Sequence, residues 1–281
     1  MMSQQRRLAT AASGVALLLV AGSCQLFQRV PSEPGRTDDA RRTAGTTSSI
    51  TSSAELFRAI RSRYGGRWYS TLSFTGENTR WSATGRATTN RWAEYVSVPG
   101  RLRIEFLPWS TQSGVLFTGG QVHTFDNGRR IDSRSQAHPL LILTADIYAL
   151  SPDAGLAALR NLGVSTQRFR ETTWRGRRVY IVGGERGDTT STQAWFDAER
   201  LLPVRWIQRE TRDGRVSVGD TRLASYRRVS GYFIPHDITG FRDGKRVLRE
   251  VYRDVRVNPP LSPQLFDPAR WGDAPRPATR R

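Results

Sequence analysis

The chain has 281 residues, 37% of them hydrophobic, and a formal charge of +18. That length suits one large β domain or two small ones with a core that needs no staples, and the single cysteine excludes a disulfide within the chain. The basic residues are scattered without a block of five, and Lys245 is the sole lysine among 43 of them, so the charge reads as the arginine bias of a GC-rich genome and not as a nucleic-acid-binding tract.

Residues 1–23 have a secretory layout: Arg6 and Arg7 form a positive start, Leu8 to Val20 is mostly small or apolar, and Ala21-Gly22-Ser23 precedes Cys24. The apolar run, about fourteen residues, falls short of the roughly twenty that cross a bilayer. The segment resembles the bacterial lipobox, with Ala21 in the position that favours leucine. The resemblance implies cleavage before Cys24 and covalent diacylglycerol and N-acyl lipid (palmitate) on its thiol, where several chains together anchor a protein stably. Ordinary cleavage nearby, releasing an unlipidated protein, is the alternative. By the sorting rule of enteric bacteria, Gln25 implies the outer membrane, facing the periplasm, more than the inner membrane.

Residues 24–51 are rich in Ser, Thr, Pro, Gly and charge, bury too little to order themselves, and form a tether spanning about 30 Å. A folded domain is expected over residues 52–271, followed by a disordered basic tail over 272–281. The domain starts with a helix: Ser52 and Glu55 can form a capping box, Leu56, Phe57, Ile60 and Tyr64 recur at helical spacing, and Gly65-Gly66 stops it.

The period then changes to alternation, clearest where Leu102, Ile104 and Phe106 interleave with Arg101, Arg103 and Glu105. This predicts a half-buried antiparallel strand. Turn signals at Gly76, Pro99-Gly100, Gly119-Gly120, Asn127-Gly128, Arg175-Gly176, Asp213-Gly214, Gly231 and Asp243-Gly244 divide the chain in the manner of hairpins. The apolar run from Pro139 to Leu150 interrupts them, and Ser151-Pro152-Asp153 caps a second helix carrying Leu156, Leu159 and Leu162. The expected fold is mainly β: one curved antiparallel sheet, an open half-barrel of about ten or eleven strands, closed by two or three helices.

Strong twist makes one face of such a sheet concave. If the helices plug it imperfectly, an apolar cavity suited to acyl chains remains; if they plug it fully, the aromatics simply fill a core. The candidate lining residues are Trp81, Trp92, Leu102, Ile104, Phe106, Phe117, Trp195 and Trp206. In the last strand Val251, Arg253, Val255 and Val257 would share a face, with Arg253 either snorkelling to the rim, where it could hold a headgroup, or pairing inside with a carboxylate.

The order helix, meander, helical insert, meander resembles the LolA/LolB-like family of lipoprotein-localisation factors over about residues 52–271. The stretches that carry the resemblance are Ala194-Trp195-Phe196-Asp197, Leu201-Leu202-Pro203-Val204-Arg205, Val255 to Leu261, Leu265-Phe266-Asp267-Pro268 and Pro99 to Arg103. It implies an open half-barrel that transiently holds membrane lipid or the acyl chains of another lipoprotein, without catalysis. The chain is expected to act as a monomer, tethered by its lipid anchor, with no cofactor and no nucleic-acid partner. A sensor or interaction module that docks a partner protein or polyanion on the same fold is the alternative.

The three histidines, His123, His138 and His236, lack partners at metal-ligand spacing, so no metal is expected; His236 reads as a surface residue. Gly183 to Asp188 reads as a loop with solvated Glu185 and Asp188. No nucleophile elbow, phosphate loop or metalloprotease helix occurs, so no catalytic residue is expected.

Overall fold

The computed structural model describes residues 50–276; the signal segment, Cys24 and nearly all of the tether lie outside the described residues. Helix α1 (Ser53–Tyr64) comes first, followed by six strands in a meander: β1 (Thr71–Trp81), β2 (Ala87–Ser97), β3 (Arg101–Phe106), β4 (Gly114–Thr118), β5 (Gln121–Asp126) and β6 (Arg129–Ser135). The chain then crosses through helix α2, built from Pro139–Leu141, a π-helical turn Ile142–Asp146 and Ile147–Ala149, and through α3 (Pro152–Asn161). The return half comprises β7 (Phe169–Trp174), β8 (Arg177–Val182), β9 (Gln193–Asp197), β10 (Pro203–Arg212), β11 (Arg215–Ala224), a short hairpin β12 (Arg227–Val229) and β13 (Tyr232–Ile234), β14 (Asp237–Arg242) and β15 (Lys245–Val257).

Thirteen strands form one antiparallel sheet in the order β6-β5-β4-β3-β2-β1-β15-β14-β11-β10-β9-β8-β7. The first and last strands pair at its centre, so the two meanders grow outward as wings and leave β6 and β7 as edges. The sheet is curved and does not close into a barrel. Its strands outnumber the expected ten or eleven because several are only five or six residues long, too short for alternation to separate them from loops.

Turn chemistry explains much of the meander. Asn127-Gly128, Arg175-Gly176, Asp213-Gly214, Ser230-Gly231 and Asp243-Gly244 each place two successive residues at positive φ, the two-residue turn whose twist matches that of the paired strands. Gly76 is the exception among the expected turns. It lies inside β1, and a Cβ there would come within 2.2 Å of the Glu250 Oε1.

Helix α1 begins as a modified capping box. Ser52 Oγ accepts the Glu55 N–H at 3.2 Å, and the Glu55 carboxylate reaches back to accept chiefly the N–H of Thr51, at 2.7 Å. Leu56, Phe57 and Ile60 are buried against Leu143, Ile147, Leu156 and Leu159 of the other helices and against Tyr180, Phe196 and Trp206 of the sheet. The helices therefore fill the concave side over the β7–β10 wing.

The convex side is covered too. Leu265, Phe266, Trp271 and Ala274 pack on Tyr95, Leu116 and Phe125, with the Trp271 and Phe125 rings stacked at 4.2 Å. Residues 272–276, expected in a disordered tail, thus belong to the packed domain: Ala274 is buried and Arg276 Nε donates to Glu105 at 2.7 Å. The same segment overturns the half-buried reading of β3, because Arg103 and Glu105 are as buried as Leu102 and Ile104.

Candidate functional site

Over the other wing the helices do not reach the sheet floor, and a cavity of about 210 Å³ remains. Leu72 and Phe74 of β1, Val96 of β2, Leu102 and Ile104 of β3, and Val115 and Phe117 of β4 form its apolar floor. The roof is the start of α2, with Pro139, Leu140 and Leu141, and Ile234 at the end of the β12–β13 hairpin. Half-buried Arg80, Gln208, Glu210, Thr221, Arg242 and Leu248 line the far end, where the long central strands run past the roof and the cavity opens. Glu210 and Arg242 pair across this mouth at 3.5 Å.

Five of the eight expected lining residues, Trp92, Leu102, Ile104, Phe117 and Trp206, line the cavity. The other three do not, for different reasons. Arg80 faces the cavity, so by strand alternation its neighbour Trp81 points outward, where Arg246 stacks on it at 4.0 Å. Trp195 packs on the convex side with Ile181 and Ile207, leaving Ala194 and Phe196 to face the helices. Phe106 packs beside Trp92 at 5.6 Å, beyond the end of the space.

Arg253 also faces away. Asp254 adopts φ 50° at the point where the β1–β15 register slips, a bulge that shifts the face on which later residues fall. Tyr252, Val255 and Val257 therefore pack inward, while Arg253 pairs with the exposed Glu77 at 2.8 Å. The expected shared face of Val251, Arg253, Val255 and Val257 does not form.

Sequence reasoning missed the polar part of the lining. Glu94 on β2 and Glu250 on β15 flank β1 from opposite sides, each only about a twentieth exposed, at 5% and 6%, and both line the cavity. Their carboxyls are hydrogen-bonded to each other, yet the Oε1 of each has no partner. Burial, and then the charge of Glu250, pushes Glu94 well above the usual carboxylate range. Burial also raises Glu250, against the hydrogen bond from Glu94 and the attraction of Arg80. Arg80 lies over the Trp92 ring at 5.0 Å. The signal was present in the sequence: Glu94 alternates with Trp92 and Val96 on an apolar face.

Two titratable groups hold the roof. His138 caps α2, its Nδ1 accepting the Leu141 N–H at 3.2 Å, with Phe117 edge-on at 4.9 Å; desolvation pushes the imidazole down to about 4, so it stays neutral and keeps that acceptor. Asp146, at the end of the π-helical turn, accepts the Gly100 N–H at 2.9 Å and ties the helix to the β2–β3 turn. His236, expected at the surface, is buried, with Nδ1 at 2.9 Å from the Ile234 carbonyl oxygen. Among the described residues no cluster of three or more His, Cys, Asp or Glu could hold a metal ion, and no helix is long and apolar enough to cross a membrane.

An open antiparallel half-barrel, roofed by helices over an apolar cavity, defines the fold class, and solved structures share that fold. An outer membrane lipoprotein-sorting protein domain from Vibrio parahaemolyticus superimposes with a TM-score of 0.56 at 12% identity, over 78% of this chain and 97% of that one. A DUF1329 family protein from Desulfovibrio piger gives 0.51 at 14% identity, over 76% and 95%. A LolA superfamily protein from Nitrosomonas europaea gives 0.49 at 12% identity, over 77% and 98%. The first two superpositions show that the chain shares its fold with the lipoprotein-sorting protein domain and the DUF1329 protein, as expected from its sequence. No protein-family model matches the chain, and no curated protein matches it in sequence.

Proposed function

We propose that this chain is a cell-envelope lipoprotein, anchored through lipid on Cys24, that holds an acyl chain of a membrane lipid or of another lipoprotein in the concave cavity and performs no covalent chemistry. The observation that carries the proposal is an apolar space left between α2 and the β1–β4 floor. Its volume of about 210 Å³ is below the roughly 300–1,000 Å³ of common ligand pockets. It therefore suits one chain, entering from the mouth between β1, β10, β14 and β15, and not several. A docking module would have no use for an unfilled core, which favours carriage over the interaction reading. Outer-membrane attachment facing the periplasm and a monomeric state complete the proposal.

The test is lipid content and probe uptake of the full chain in non-ionic amphipol, compared with Ile104→Trp, whose larger ring projects from the floor into the space. The wild-type chain is expected to retain non-covalent lipid, read by mass spectrometry of a solvent extract, and to take up N-phenylnaphthylamine. The variant should bind the probe at least tenfold more weakly while keeping its circular dichroism. Equal lipid content and equal probe affinity in the two proteins would remove the cavity from the function.

A further inference from the structure

We propose that the Glu94–Glu250 pair is a headgroup seat inside the cavity, and that it selects amphiphiles whose polar end is a hydrogen-bond-donating cation such as a primary alkylammonium. This rests on the reading that the cavity holds an amphiphile, and it adds which one.

The geometry supports the assignment in three ways. First, the pair is built, not incidental: β1 places Gly76 beneath it, and any Cβ at that position would meet the Glu250 Oε1 at 2.2 Å and its Cδ at 3.2 Å. A glycine in the middle of a central strand weakens the strand, and here it makes the room that the carboxyl occupies. Second, the unpaired atoms are both acceptors, the Oε1 of Glu94 and the Oε1 of Glu250, and both residues line the cavity. Acceptors withdrawn from water without a partner are costly, and a ligand that brings N–H donors relieves both at once. Third, the pair lies between the half-buried polar residues of the mouth and an apolar floor that includes Phe74, Ile104 and Phe117, where a chain can lie.

Charge decides between headgroups. The groups facing the pair are Asn78 and Arg80 from β1 and Tyr252 from β15, with neutral His138 at the roof and the Glu210–Arg242 ion pair at the mouth. Two adjacent buried carboxyls share one proton, so the site without ligand carries one negative charge, which Arg80 balances. An alkylammonium that donates to both Oε1 atoms replaces the shared proton, which leaves to bulk water, and the site stays neutral with two carboxylates and two cations. A fatty-acid carboxylate brings a third acidic group beside the pair and no donor for either Oε1, and a neutral alcohol brings one donor for two acceptors.

The experiment is displacement of N-phenylnaphthylamine from the full chain in non-ionic amphipol by dodecylamine, dodecanoate and dodecanol at pH 7.5. Dodecylamine is expected to displace the probe at concentrations at least tenfold lower than the other two. Calorimetry in buffers of different ionisation enthalpy should show close to one proton released per amine bound. In the double variant Glu94→Gln with Glu250→Gln the preference should fall to about one. If that variant does not fold, the wild-type ranking and the proton release still decide. Equal displacement by the three chains, or stronger displacement by dodecanoate, would overturn the seat while leaving amphiphile binding intact. Absence of probe uptake by the wild-type chain would bring down both readings together.

Discussion

Arg103→Met is expected to destabilise the domain by about 3–5 kcal/mol, the loss that follows when one partner of a buried ion pair is removed. The Arg103 side chain is fully buried. Its Nε donates to Glu105 Oε1 at 2.6 Å, its Nη1 to the Leu265 carbonyl at 3.1 Å and its Nη2 to the Trp271 carbonyl at 2.6 Å. The guanidinium also lies 3.9 Å from the centre of the Trp271 ring. Methionine matches the length of the stem but supplies no donor, so two buried carbonyls and one Glu105 oxygen lose their partner together. Arg276, which holds the other Glu105 oxygen at 2.7 Å, is closer to solvent and compensates only in part. Denaturant titration should show a lower midpoint at unchanged slope. Limited proteolysis should cut the C-terminal segment after Pro259 before the rest of the sheet, because that segment is pinned mainly by this arginine and by the Trp271–Phe125 stack. A stability loss under about 1 kcal/mol, the scale of an ordinary surface pair, would mean that apolar contacts alone hold the segment.

Arg103 also shows where sequence reading of this fold stops. Alternation on β3 assigned Leu102 and Ile104 to one face and Arg101, Arg103 and Glu105 to the other, and the parity is right. What the pattern cannot carry is the identity of the cover, since the residues that bury Arg103 lie 162 and 168 positions later. Turn chemistry was legible because it is local: an Asn-Gly or Asp-Gly pair needs only its own backbone to specify the reversal. The cavity floor was legible for the same reason, since Leu102, Ile104 and Phe117 sit at alternate positions on their strands. The errors fall where one residue resets parity or where only distance in space matters. The Asp254 bulge turned Arg253 outward, Gly76 proved to be a space-maker and not a turn, and the acid pair joins two strands that are far apart in sequence but flank β1 on either side.

The second large effect is a pH dependence centred on Asp146, and it concerns how firmly the roof is held. Asp146 is only 6% exposed, and desolvation, opposed by the hydrogen bond from Gly100, pushes its carboxyl up to about 6 from an ordinary 3.8. Because the folded-state value is the higher one, the native protein binds more protons than the unfolded chain between those two values. The stabilisation is fully present below pH 3.8 and is lost as pH rises through 6. Each tenfold change in proton affinity is worth about 1.36 kcal/mol, so the charged form costs the folded state about 3 kcal/mol at neutral pH. Asp146→Asn keeps an oxygen to accept the Gly100 N–H but has no proton to lose. The variant is therefore expected to match the wild-type chain near pH 4 and to exceed its stability by up to about 3 kcal/mol at pH 7.5, read as the difference in denaturation free energy at the two pH values. His138, with its value moved down to about 4, loses stability in the opposite direction as pH falls, and the acid pair shifts in the same direction as Asp146. Only the difference between variant and wild type isolates this carboxyl, and a difference that does not change with pH would refute the assignment. Since α2 runs unbroken from the cavity roof at Pro139 to the Asp146 tether, ionising that carboxyl loosens the element that closes the cavity. Amide exchange over residues 140–149 should accordingly quicken between pH 5 and 7.5, after correction for intrinsic rates, in the wild-type chain and not in Asp146→Asn.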